Sequence, residues 1–235
     1  MLVLGDDLAK SAAEAIAIFW LRDSMQPTID PTLKQIQLLL PLLKLADKGL
    51  YDFLVSVDGL EPYFCVSWIL TWLSHDLSHF QLVTRFFDFF LVSNPLMPLY
   101  VVAAGLSLRR QDIMQFDPDD FPIIHSYLSK FTVSMDAEAV IELALVYFQQ
   151  YPPHKIQKHG EFLGRNSCVN MHTKEYMSTQ LKEPLNKTLG YARAQQFSKD
   201  LAQKRMSLER MILYSSLVVL LLGLYWAVVF VQKED

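Results

Sequence analysis

Apolar residues recur at three- and four-residue intervals over most of the first 150 positions, and that period predicts a run of helices. Leu8, Ala12, Ile16 and Phe19 fall along one side of "LAKSAAEAIAIFWL", with Asp6 or Asp7 ahead of it to cap the first turn. Asp30-Pro31 combines an N-cap with a proline at the first helical position and opens "TLKQIQLLLPLLKLA". Pro41 inside that run predicts a kink or a division into two helices. Asp58-Gly59 marks a turn, Pro62 opens a helix carrying Trp68 and Trp72, and Asn94-Pro95 interrupts the chain before "LMPLYVVAAGLSL". Pro122 and Asp136 open two more helices, "IIHSYLSKF" and "AEAVIELALVYFQQY". No stretch shows sustained strand alternation bounded by hairpin signals, so the fold class is all-α.

The apolar pattern changes character at Met211. From there to Val231, "MILYSSLVVLLLGLYWAVVFV" contains no charge, and only Ser215, Ser216 and Gly223 interrupt the bulky side chains. A helix of that length spans roughly 30 Å, the thickness of a hydrocarbon core, and it lacks the polar stripe of a helix laid on a globular core. The expectation is a transmembrane tail anchor over 207–235, spanning at about 211–231. The amino terminus gives no secretory signal, because Asp6 and Asp7 follow the short apolar start at once. Lys199, Lys204, Arg205 and Arg210 precede the span and Lys233 alone follows it, which predicts that the bulk of the chain faces the cytosol. Cys65 and Cys168 are too few and too far apart for a disulfide framework, and read as free, inert thiols.

Charge divides the chain in the same sense. Residues 1–150 hold 9 basic and 18 acidic side chains, a net of −9, whereas residues 151–210 hold 11 and 5, a net of +6. Beside the apolar run that follows, the basic stretch points to a membrane surface and not to nucleic acid. Histidines, lysines, Gly160, Gly164 and Pro184 occur without periodicity over 154–206, so this stretch is expected to be a basic, mostly disordered linker.

One candidate for catalysis is "WLSHDLSH", in which His75 and His79 stand four apart with Asp76 after the first, as in a H-E-x-x-H zinc hydrolase. Ser78 and Gln81 form an S-x-x-Q capping box directly before "LVTRFFDFFLV", however, which starts the helix at Ser78 and leaves His75 in the connection before it. The imidazoles then share no helical face, Asp76 is a methylene short of the motif's glutamate, and no third ligand stands nearby. No metal and no cofactor is expected, and His154, His159, Cys168 and His172 match no zinc spacing either. Within the helix that follows, Arg85 and Asp88 are three apart among Phe, Leu and Val, and an i,i+3 ion pair is the simplest expectation.

"VSWILTWLSHDLSHFQLVTRFFDFFLVSNPLMPLYVVAAGL" resembles the carboxy-terminal half of a TBC domain, the all-helical fold that activates Rab GTPases. In that family a tryptophan-bearing helix precedes one with an R-x-W-D or R-x-Y-D core, and Arg85-Phe86-Phe87-Asp88 matches it with phenylalanine at the aromatic position. The likeness covers roughly residues 15–153 and makes Trp68, Trp72, Arg85 and Asp88 the structural motif residues. It implies that residues 1–153 are a partial TBC domain and that the partner is a Rab-family small GTPase of the early secretory pathway. It further implies a regulator of ER-to-Golgi traffic, which is a GTPase activator and not itself an enzyme, on the endoplasmic reticulum or an early secretory membrane.

The same resemblance implies two catalytic fingers, an arginine from I-x-x-D-x-x-R and a glutamine from Y-x-Q-G, and neither string occurs in this sequence. Tyr147-Phe148-Gln149 satisfies Y-x-Q but follows the Arg85–Asp88 helix, where the family's glutamine precedes it, and Gln150 replaces the glycine. Tyr147 is expected in the core and Gln149 on the surface. Met1 falls just downstream of where the glutamine finger would stand, so the expectation is a truncated, inactive form. The alternative is a catalytically silent, membrane-tethered Rab-binding or scaffold protein, and the remote one is the zinc hydrolase.

Overall fold

The computed structural model describes residues 5–130 and 136–172, and every regular element among them is helical. None of the described helices is long and apolar enough to cross a membrane. The expected anchor over 207–235, with its span at 211–231, and residues 173–206 of the expected linker lie outside the described residues.

Helix α1 runs Gly5–Phe19, so Asp6 and Asp7 fall inside its first turn and not ahead of it. The apolar side is only loosely covered: Ile16 packs against the core, but Leu8 is 65% exposed. The long run after Asp30 divides as expected, into α2 (Asp30–Gln37) and α3 (Leu39–Ala46). Pro41 has no N–H for the Gln37 carbonyl, so the chain tightens at Leu38, whose N–H bonds the Gln35 carbonyl at 3.1 Å. Asp30 is the first helical residue and not the cap; its carboxylate accepts from the Thr28 hydroxyl at 2.8 Å. Asp47 ends α3 and caps α4 (Lys48–Ser56), accepting from the Leu50 N–H at 3.1 Å.

After a 3-10 turn (Pro62–Cys65) come α5 (Val66–Thr71), α6 (Phe80–Leu91) and α7 (Met97–Leu108). Helix α7 is the centre of the fold. Every residue from Met97 to Leu106 is buried, in keeping with the absence of any polar face in "MPLYVVAAGL". Asn94 sets its start by accepting from the Leu96 N–H at 2.9 Å. A short α8 (Arg110–Ile113) and α9 (Phe121–Leu128) lead to α10 (Ala137–Gln150), which packs along α7 more extensively than any other element. Asp136 caps α10 as expected, through the N–H groups of Glu138 and Ala139. The Tyr100 hydroxyl donates to the Tyr151 carbonyl at 2.5 Å and fixes the far end of α10 against α7.

Residues 154–172 correct one expectation, because they do not form a loose linker. Helices α11 (Pro153–Ile156) and α12 (Cys168–Met171) bracket a strap that returns across the helical body. Ile156, Leu163, Cys168 and Val169 are buried in the common core. At Gly160 the backbone lies so close to α3 that a Cβ would stand 2.5 Å from Pro41 Cγ, which only glycine allows. The absence of periodicity that suggested disorder instead marks a segment held by individual polar contacts.

Candidate functional site

The motif tryptophans pack where α5 turns into α6, and Arg85 and Asp88 stand further along α6. Trp68 and Trp72 are 1% and 4% exposed, and Phe86 and Phe90 are buried with them. Trp72 meets Phe87 and Phe90 edge-on, with ring centroids 5.3 and 5.6 Å apart, in the arrangement that aromatic quadrupoles favour. Phe87 itself is half-buried, packed against the core but not inside it. Phe89, on the neighbouring face, is buried in its place.

Helix α5 stops one residue short of Trp72, against the expectation of one helix bearing both tryptophans. Trp72 and Leu73 have φ of 51° and 67°, a left-handed pair of a kind that bulky side chains adopt only under strong constraint. Burial of both side chains supplies that constraint, and the Leu73 N–H closes back on the Trp68 carbonyl at 2.9 Å. The reversal puts His75 in the connection, as expected. The capping box does not form: α6 starts at Phe80 with His79 at the cap position, and no side chain caps it. His75 and His79 are exposed and share no helical face, and no group of residues suited to a metal ion occurs among the described residues.

Arg85 does not pair with Asp88. Its guanidinium reaches across to α10 and donates from Nε and Nη2 to the two carboxylate oxygens of Glu138, at 2.6 and 2.7 Å. Two parallel bonds match the fork of arginine to a carboxylate better than the cramped i,i+3 geometry does. The bond from Arg85 holds the Glu138 carboxyl below its usual range, and Glu138 in turn raises Arg85. Asp88 faces solvent. The sequence marks Asp136 as a cap and so places Glu138 in the first turn of α10, but nothing in it brings that turn beside Arg85, 53 residues earlier.

Both ends of this bridge are exposed, so it positions α10 on α6 without storing much stability. Arg85→Ala should leave the fold intact and lower the midpoint of thermal unfolding only slightly, and the difference should vanish in about 1 M salt. A depressed carboxyl contributes stability above its unfolded pKa and loses it as pH falls through the folded value. The gap between parent and variant should therefore close on acidification below the ordinary carboxylate range. Melting curves against pH and salt check both expectations.

Sequence reasoning missed a second polar centre. Asp23 is 6% exposed and accepts three bonds: Gln35 Nε2 at 2.6 Å, Ser167 Oγ at 2.5 Å and the Cys168 N–H at 3.1 Å. Beside it, Arg22 donates to the Asn166 carbonyl at 2.5 Å and to the Met171 sulfur at 3.1 Å. The Trp20 indole donates to the Ser93 carbonyl, and Asn94 donates to the Val169 carbonyl, so the strap also reaches the α6–α7 turn. His172 lies edge-on to Trp20, and burial lowers its pKa. Burial likewise pushes the Cys65 and Cys168 thiols up to about 12, so both are protonated and inert at neutral pH, as expected. Tyr147 is buried and Gln149 exposed on α10, also as expected.

Residues 14–114 match the Rab-GTPase-TBC domain. TBC1 domain family member 20 of Bos taurus is 36% identical over 160 residues, which are 68% of this chain and 39% of that protein. The Homo sapiens protein of the same name is 35% identical over the same shares. The GTPase-activating protein gyp10 of Schizosaccharomyces pombe is 36% identical over 151 residues, covering 61% of this chain and 40% of its own length. The chain thus spans about two fifths of the length of the curated relatives it matches.

Proposed function

With residues 14–114 belonging to the Rab-GTPase-TBC family, we propose that this protein is a regulator of a Rab-family GTPase. The observation that carries the reading is the family match over residues 14–114, which run from within α1 to α8, with Trp72 packed on Phe87 and Phe90 of α6. Residues 1–235 contain neither I-x-x-D-x-x-R nor Y-x-Q-G, which favours a docking body over a source of catalytic fingers within these residues. The relative gyp10 bears the name of a GTPase-activating protein, which supports the same target class. If this reading holds, the immobilised full chain retains one or a few Rabs loaded with a non-hydrolysable GTP analogue, from a panel spanning the secretory pathway. Retention of none of them, with folded protein on the support, would contradict it.

The reading extends to place. A tail anchor over 207–235 would hold the chain on the endoplasmic reticulum or an early secretory membrane as a single-pass protein, with the bulk in the cytosol, supported by the uncharged run 211–231 and the basic residues before it. Asn186-Lys187-Thr188 is an N-glycosylation acceptor and so a native reporter of orientation. Translation with microsomes should give membrane-bound product without glycan. A glycan on Asn186 would reverse the orientation, and product that alkali extracts from the membrane would remove the span.

A further inference from the structure

The outer face of the strap differs from the rest of the described surface. Residues 1–150 carry 18 acidic against 9 basic side chains, whereas the strap exposes Lys155, Lys158 and Arg165 with Glu161 as its one acid. In the middle of these cations Phe162 is 65% exposed. It cannot simply tuck inward. Two residues before it, Gly160 is pressed onto Pro41 and Leu38. One residue after it, Leu163 is 2% exposed, with its N–H on Gln157 Oε1 at 3.0 Å and its carbonyl accepting from Asn170 Nδ2 at 2.7 Å. With Leu163 pinned inward, the side chain before it is left in solvent.

We propose that this outward face of the strap docks on an anionic phospholipid surface, with Phe162 entering the headgroup boundary and Lys158 and Arg165 meeting lipid phosphates. A phenylalanine among cations suits the interface of an anionic bilayer, where the ring leaves water and each cation gains from the negative surface potential. Lys155 contributes less, being engaged with the Gln150 carbonyl and the Tyr151 ring. The net charge of −9 over residues 1–150 gives the rest of the body no comparable attraction to the same surface. Nothing in this docking requires a Rab partner or a spanning segment.

The test uses the full chain carrying Phe162→Cys, labelled with an environment-sensitive fluorophore. Cys65 and Cys168 are buried and protonated, so the label goes to residue 162. The protein is assembled into lipid discs of phosphatidylcholine alone or with about a third phosphatidylserine. Co-elution with the discs reads the span, and the fluorophore reads the strap, so each can fail separately. A chain that does not co-elute is titrated with vesicles of the same two compositions and read the same way. Brighter, blue-shifted emission on anionic lipid alone is expected, reversed by about 1 M salt. Lys158→Glu with Arg165→Glu should weaken that response about tenfold, with melting behaviour unchanged. Equal emission on both lipids, or a response to salt-free polyglutamate as large as that to anionic lipid, would overturn the proposal.

Discussion

Single-turnover GTP hydrolysis by early-secretory Rabs should stay at its intrinsic rate when this chain is added in excess. A Rab site supplies magnesium and phosphate-binding loops, but the chemical step stays slow until a partner neutralises the charge on the transferred phosphoryl and orients the water. In related GTPase systems such an arginine accelerates hydrolysis about 10³–10⁵-fold, roughly 4–7 kcal/mol of barrier. The arginines described here are largely committed elsewhere. Arg22 holds the strap, Arg85 is bidentate on Glu138, Arg109 is buried against Tyr127 and the Lys130 carbonyl, and Arg110 pairs with Asp47 at 3.2 Å. Arg165 alone of these is exposed without such a partner, and it sits on the strap with no glutamine poised beside it in a Y-x-Q-G turn.

Docking by the remaining surface would stabilise ground and transition states equally, which leaves the chemical step unchanged. A flat rate with measurable binding is therefore the expected pair of results. Acceleration above about tenfold would mean that a finger exists within these residues, and Gln149, exposed on α10, and Arg165 are the two positions to substitute next.

The helical course of this chain was legible because its signals are local. Asn94-Pro95, Asp136 and Pro41 act within one turn of themselves, and each does what its chemistry requires. The uniformly apolar "MPLYVVAAGL" likewise announced the central helix. The errors arose where distant partners decide. Ser78 lost its capping role because the buried pair Trp72–Leu73 forces the backbone into a left-handed reversal and shifts the start of α6 to Phe80. Arg85 chose Glu138 over Asp88 because tertiary packing brings a better carboxylate geometry than three residues of helix can offer. The strap was invisible for the same reason. Ser167 and Asp23 are 144 residues apart, and neither belongs to a periodic pattern.

Asp23→Ala should be the most costly single change in the polar part of the fold, lowering unfolding free energy by about 2–4 kcal/mol. Three donors converge on one carboxylate, and the substitution strands the Gln35 amide, the Ser167 hydroxyl and the Cys168 N–H in a buried place that water reaches poorly. Asp23→Asn should recover a good part of the loss. The serine hydroxyl can rotate to accept and the glutamine amide can turn its oxygen inward, so an asparagine can still be satisfied there. The damage should also be local. The hydrogen bonds at Asp23 run to α2 and the strap, not to α7 or α10, so amide exchange over 157–172 should quicken while α7 and α10 stay protected. Gly160→Val attacks the other end of the strap, because a side chain there meets the rigid Pro41 ring, and it should produce the same strap-selective exchange. If either variant loosens α7 as much as the strap, residues 154–172 are part of one cooperative unit with the core and not a separately held strap. If Asp23→Ala costs less than about 0.5 kcal/mol and leaves strap exchange unchanged, the bonds at Asp23 do not hold the strap at all.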